Sequence, residues 1–175
     1  MSLLSRIADG ADRLVRRICE AVAWLGLALV LLIAFNVFAR YLFSYGSVAL
    51  QEMEWHLMAV LALFGMPYVI NRGEEVRVDV LYAHFPARTK RVVNAVGDLL
   101  LAAVALFTLW LSLKFVAQSF TLGEGSADPG GLPDRWILKA AIPTAFALLA
   151  IQAVARFILD VAGRPYPVAP AHLES

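Results

Sequence analysis

Read from its amino end, the chain alternates long apolar runs with short polar blocks. Leu3, Leu4, Ile7, Ala8, Ala11, Leu14, Val15, Ile18 and Val22 recur at helical spacing, and Arg6, Asp9, Asp12, Arg13, Arg16 and Arg17 fill the other face. This predicts an amphipathic helix lying in a membrane interface, with Gly10 as its weak point. Between Glu20 and Arg40 come nineteen uncharged residues, AVAWLGLALVLLIAFNVFA. At 1.5 Å rise per residue they approach the ~30 Å hydrocarbon core of a bilayer. The run is too long for a signal-peptide core, and RYLF follows it where a cleavage site would need small residues, so a retained span is expected. Three more apolar runs follow. The predicted spans are about 20–41, 54–71, 92–114 and 136–159, the second and fourth being extended to the interface by Trp55, Tyr68, Trp136 and the stems of Lys139 and Arg156. Residues 1–160 then form one membrane domain. The tail 161–175, with Pro165, Pro167 and Pro170, is expected to be disordered.

Composition agrees with this. Hydrophobic side chains make up 61% of the 175 residues, and mean hydropathy is +0.71, too apolar for a soluble helical bundle of this size. Net charge is +1, so no global field points to nucleic acid. The single cysteine, Cys19, excludes an internal disulfide and a multi-cysteine metal cluster. Eleven Lys and Arg lie in residues 1–20, in the 71–91 connection or beyond Lys139, against four in the 40–54 and 114–139 segments. The positive-inside rule therefore puts both termini and the 71–91 loop in the cytoplasm. Arg13, Arg16 and Arg17, with Arg88, Lys90 and Arg91, become candidate contacts for anionic lipid headgroups. Val76, Val78 and Val80 alternate with Arg77 and Asp79, but a lone strand would have no partner, and a surface-lying segment ending at Pro86 is expected.

The stretch LQEMEWHL holds the most concentrated chemistry, Glu52, Glu54 and His56. On a helix Glu52 and His56 share a face and Glu54 does not. Two ligands are too few for a metal, and His84 and His172 lie elsewhere, so zinc is rejected. A bis-histidine haem needs histidines within facing spans, and none is there. Asp98 is the only carboxylate a proton-coupled carrier could use, but Arg91 and Asn94 place it near the inner end of its span, hydrated or paired. Asn36 and Gln152 are candidates for interhelical hydrogen bonds. The Gly- and Pro-rich loop TLGEGSADPGGLPDRW lacks the Lys-Ser/Thr of a phosphate loop, and Asp134 is placed to cap the fourth span. The residues read as a small accessory membrane protein, neither enzyme nor cofactor carrier. A self-assembling carrier depending on Asp98, and the membrane anchor of a respiratory complex, stay open at this point.

QEMEWHLMAVLALFGMPYVINRGEEVRVDVLY and LGEGSADPGGLPDRWILKAAIPTAFALLAIQ, in this order and spacing, resemble the small four-helix membrane subunit of tripartite ATP-independent periplasmic (TRAP) transporters. The resemblance covers roughly residues 18–160 and is sharpest at Arg77–Val80 and in the Gly-Leu-Pro before Lys139–Pro143; Glu75 stands where the family often has histidine. It implies an all-α, multi-pass protein of the bacterial inner membrane that binds no substrate itself. Its partners would be a large membrane subunit carrying the substrate and sodium sites and a soluble periplasmic binding protein that delivers an organic acid. Glu52, Glu54, Trp55, Asp98, Asp128, Asp134 and Arg135 are then the candidate partner-interface residues, with Glu52 or Glu54 anchoring the assembly and the loop from Asp128 to Asp134 meeting the binding protein.

Overall fold

The computed structural model describes residues 3–74, 82 and 84–163. The surface segment expected around Val76–Val80 and the tail from residue 164 lie outside these. Five helices make up the described chain: α1 (Leu3–Ala23), α2 (Leu25–Phe43), α3 (Val48–Arg72), α4 (Ala87–Thr121) and α5 (Trp136–Val161). The amphipathic helix and the first span are nearly one helix, interrupted at Trp24, whose N–H bonds back only three residues to the Ala21 carbonyl at 3.3 Å. Four helical segments are therefore long and apolar enough to cross a membrane, namely α1–α2 together, α3, α4 and α5.

Turn chemistry sets the ends. Ser44 closes α2 in the left-handed region at φ 51°, and Gly73 closes α3 at φ 67° with its N–H on the Ile70 carbonyl and that of Glu74 on Val69. The cap expected from Asp134 is not made. Asp134 itself takes φ 58°, so its backbone carbonyl receives the Ile137 N–H at 3.0 Å, and its carboxylate instead accepts from the Trp136 indole at 3.3 Å.

α5 is the hub of the packing. It pairs most extensively with α4 and also meets α1 and α3, whereas α2 leans on α3 and only lightly on α1. Small residues let these helices approach: Ala102 and Ala105 of α4, and Ala145, Ala150, Ala153 and Ala155 of α5, are buried. Part of the α1 stripe is docked too. Ala8 packs near Ala155 and Leu159, and Val15 and Cys19 pack near Phe64, Ala145 and Leu148, while Leu4, Ile7 and Leu14 stay exposed for lipid.

At the end of the bundle away from the 122–135 loop, polar side chains lock four helices together. Asn71 donates to Asp12 Oδ1 at 2.7 Å and to Gln152 Oε1 at 3.0 Å, and Gln152 donates to Asp12 Oδ1 at 3.0 Å. One turn further along α5, Arg156 donates to the Ile70 carbonyl at 3.1 Å and lies 3.5 Å from Asp98 Oδ1. Both members of that ion pair are buried. Polar side chains of one helix thus bond to polar groups of the next.

A candidate partner-facing site

Two residues on a helix differ by about 200° in direction. Glu52 and Glu54 thus leave α3 on opposite sides. Glu52 turns toward the 122–135 loop and is 2% exposed. Its Oε2 accepts the Leu132 N–H at 2.6 Å, its Oε1 accepts the Ser126 hydroxyl, and the Arg135 guanidinium stands 3.4 Å from Oε1. Gly131 leaves room for this: a Cβ there would fall 2.7 Å from Glu52 Oε2 and collide with Ser126. His56 does not join the carboxylate, because its Nδ1 lies 2.6 Å from the Glu52 backbone carbonyl.

The loop is held by a second carboxylate. Glu124 accepts from Ser119 Oγ at 2.7 Å and is ion-paired to Lys139 of α5, whose ammonium also lies 4.1 Å from the centre of the Phe115 ring. The Glu124 carbonyl receives the Arg135 N–H at 2.9 Å. The hydrogen bond from Lys139, then that from Ser119, hold the Glu124 carboxyl below its ordinary range. Within the loop, Ser126 and Leu132 close a turn at 3.0 Å and the Asp128 N–H reaches Ser126 Oγ at 3.1 Å, leaving the Asp128 and Asp134 side chains exposed and Arg135 half-buried.

Glu54 faces α2. It accepts from Asn36 Nδ2 at 2.9 Å, so Asn36 makes the interhelical bond expected of it, as Gln152 does. The pair sits in an open groove of about 420 Å³ between α2 and α3, with Arg40, Gln51 and Trp55 also in its walls. Trp55 is exposed and Glu54 half-buried.

The remaining predicted residues are separated from this groove. Asp98 is paired with Arg156 inside the bundle. Arg13, Arg17, Arg88 and Arg91 are exposed, Arg16 is half-buried, and half-buried Lys90 lies 5.3 Å from the centre of the Tyr82 ring. Among the described residues, no three His, Cys, Asp or Glu side chains come together as a metal-binding group. Sequence reasoning missed Asp12, Asn71 and Arg156 as members of a polar lock, and Ser126 and Leu132 as partners of Glu52. The available signal was weak: Asn71 and Arg156 both stand at the ends of otherwise apolar runs.

Comparison with known proteins decides the family. The profile described as "Tripartite ATP-independent periplasmic transporters, DctQ component" matches residues 29–163, which takes in most of α2 and all of α3, α4 and α5. The chain belongs to the DctQ family. As a DctQ protein it is a small, multi-pass membrane component of a TRAP transporter. It is also similar to a curated relative, the isethionate TRAP transporter permease protein DctMQ of Oleidesulfovibrio alaskensis, with 24% identity over 144 residues. That alignment takes in 79% of this chain and 22% of the relative, so the DctQ chain spans about a fifth of that protein's length.

Proposed function

We propose that this DctQ protein is the stationary small partner of a larger TRAP membrane subunit, in sodium-coupled, binding-protein-dependent uptake of an organic acid across the bacterial inner membrane. The observation that carries this reading is the engagement of its buried charges. Asp98 pairs with Arg156, and Glu52 is held by Ser126, Leu132 and Arg135. A carrier needs an ionisable group that changes partner during transport. Here these groups tie helix to helix and helix to loop, which suits a scaffold. The DctMQ relative adds support, because a segment like this chain is there part of a longer permease.

In this reading the termini and the basic 71–91 connection are cytoplasmic, and the 122–135 loop is periplasmic. Exposed Asp128 and Asp134, beside half-buried Arg135, are then available to the binding protein, and Glu54 and Trp55 to the larger subunit. Arg13, Arg16, Arg17, Arg88, Lys90 and Arg91 meet anionic lipid. The test is gentle extraction of the tagged chain from its native membrane, with mass spectrometry of what co-purifies. An equimolar, much larger polytopic protein, and no solute movement by the reconstituted chain alone, is the expected result. A homo-oligomer that transports alone and stops when Asp98 is replaced would overturn the reading.

A further inference from the structure

We propose that the groove between α2 and α3 at Asn36 and Glu54 seats a transmembrane helix of the larger subunit, one that presents a cationic or hydrogen-bond-donating side chain to Glu54. The proposal rests on the pairing set out under Proposed function and names the surface that makes it.

Three observations converge on this groove. The first is packing. In the most apolar stretch of the α1–α2 segment 6% of residues are buried, against 56% in α5, and α2 touches the rest of the bundle mainly through α3. The second is polarity at the edge of the apolar runs. Asn36 lies inside the first predicted span, five residues from its end, where acyl chains offer its amide no hydrogen bond, and Glu54 opens the second span beside it. The third is incomplete satisfaction. Among the described residues, Asn36 donates to Glu54 but its own Oδ1 is buried with no hydrogen-bond partner, and neither Glu54 nor Arg40 makes an ion pair. Buried polar atoms without a partner are rare enough to ask for one.

The chemistry of the groove selects its occupant. Asn36 Oδ1 and the Glu54 carboxylate both require donors, and Arg40 at the rim requires an acceptor. A phospholipid phosphate would answer Arg40 alone and be repelled by Glu54. A second copy packed about a two-fold axis through the middle of the groove would set Glu54 against Glu54. A helix carrying a Lys, Arg, Ser, Thr or Asn side chain at this level answers the half-buried Glu54 carboxylate, and its apolar remainder covers exposed Ile33 and Val37.

The experiment uses the full chain with its larger subunit in native membranes. In a Cys19→Ala background, Val37→Cys is treated with a short thiol-to-amine cross-linker. In parallel, Ile33→Trp, which fills the groove, and Glu54→Lys, which reverses its charge, are compared with Val104→Trp on the exposed face of α4. The proposal expects an adduct containing the larger subunit, and a roughly tenfold or greater loss of its recovery with both groove variants but not with Val104→Trp. Ile33→Trp keeps every polar group, so a thermal midpoint like the wild type's separates lost docking from lost folding. Full recovery with both groove variants overturns the groove while leaving the pairing intact. A Val37→Cys adduct of twice this chain's mass, or with phospholipid alone, overturns it too. Wild-type chain that brings down no larger subunit overturns groove and pairing together.

Discussion

Glu52 and Glu54 read alike in the sequence and differ in the fold. Both were legible as interfacial carboxylates, but which one meets a loop of the same chain depends on where residues 126–135 return, and no local pattern encodes that. Gly131 is the local trace of the return. A methyl group there meets Ser126 Cβ, which cannot rotate away as a hydroxyl can, so the loop backbone must move. Gly131→Ala is expected to cost about 1–3 kcal/mol of loop stability, seen as faster cleavage by added protease between Gly123 and Leu132; an unchanged cleavage rate would show that the loop is not held by this contact. Glu124 gives a second prediction, in pH. Its carboxyl is held below the ordinary 4.5 by Lys139 and Ser119, so its contribution to loop stability is complete above that value and is lost as pH falls through the depressed one. Trp136 begins the helix that carries Lys139, and its fluorescence is expected to be flat from pH 7 to 5 and to change only below 4.5. In Glu124→Gln that low-pH change should be smaller.

The four crossings were legible because twenty-residue apolar runs admit few alternatives. The junction at Trp24 was not, because a one-residue irregularity between two helices leaves no mark on periodicity. Nor was the register of α4 against α5. Their pairing is antiparallel along its length, from Asp98 beside Arg156 to Phe115 beside Lys139, and the alanines between them set the close approach. Asp98 could be read from the sequence as hydrated or paired near the end of its span, but its partner could not, since Arg156 is 58 positions away and only packing brings the two together. The pair makes an element-level prediction. Arg156→Leu takes this cation from a buried carboxylate and should destabilise the bundle by about 3–5 kcal/mol, read as a fall in thermal midpoint in mild detergent. Adding Asp98→Leu should recover most of the loss, with a residue from the Ile70 carbonyl that Arg156 also serves. A double variant no better than the single one would show that the guanidinium acts mainly through that carbonyl.

For the whole molecule, sidedness is a single binary choice, because the polar contacts join features that the sequence could only assign separately. The Glu52 bond to the Leu132 N–H fixes the start of α3 and the 122–135 loop at one end of the bundle. The bonds among Asp12, Asn71 and Gln152 fix α1 and the end of α3 toward the other. One labelled position at each end therefore reports the orientation of every helix. The count of eleven Lys and Arg against four predicts which way it goes. Cys19 is the only cysteine and is buried, so Cys19→Ala gives a silent background. On it, Ala127→Cys in the loop and Arg88→Cys at the start of α4 both lie at exposed positions. In intact cells whose outer membrane admits small molecules, a membrane-impermeant maleimide should label Ala127→Cys at once and Arg88→Cys only after lysis. The reverse pattern would turn the molecule over. Asp128, Asp134 and Arg135 would then face the cytoplasm, and docking of a periplasmic binding protein to that loop would be impossible. The Asn36–Glu54 groove would survive either result, because a helix from a neighbouring subunit can enter it from within the membrane whichever end faces out.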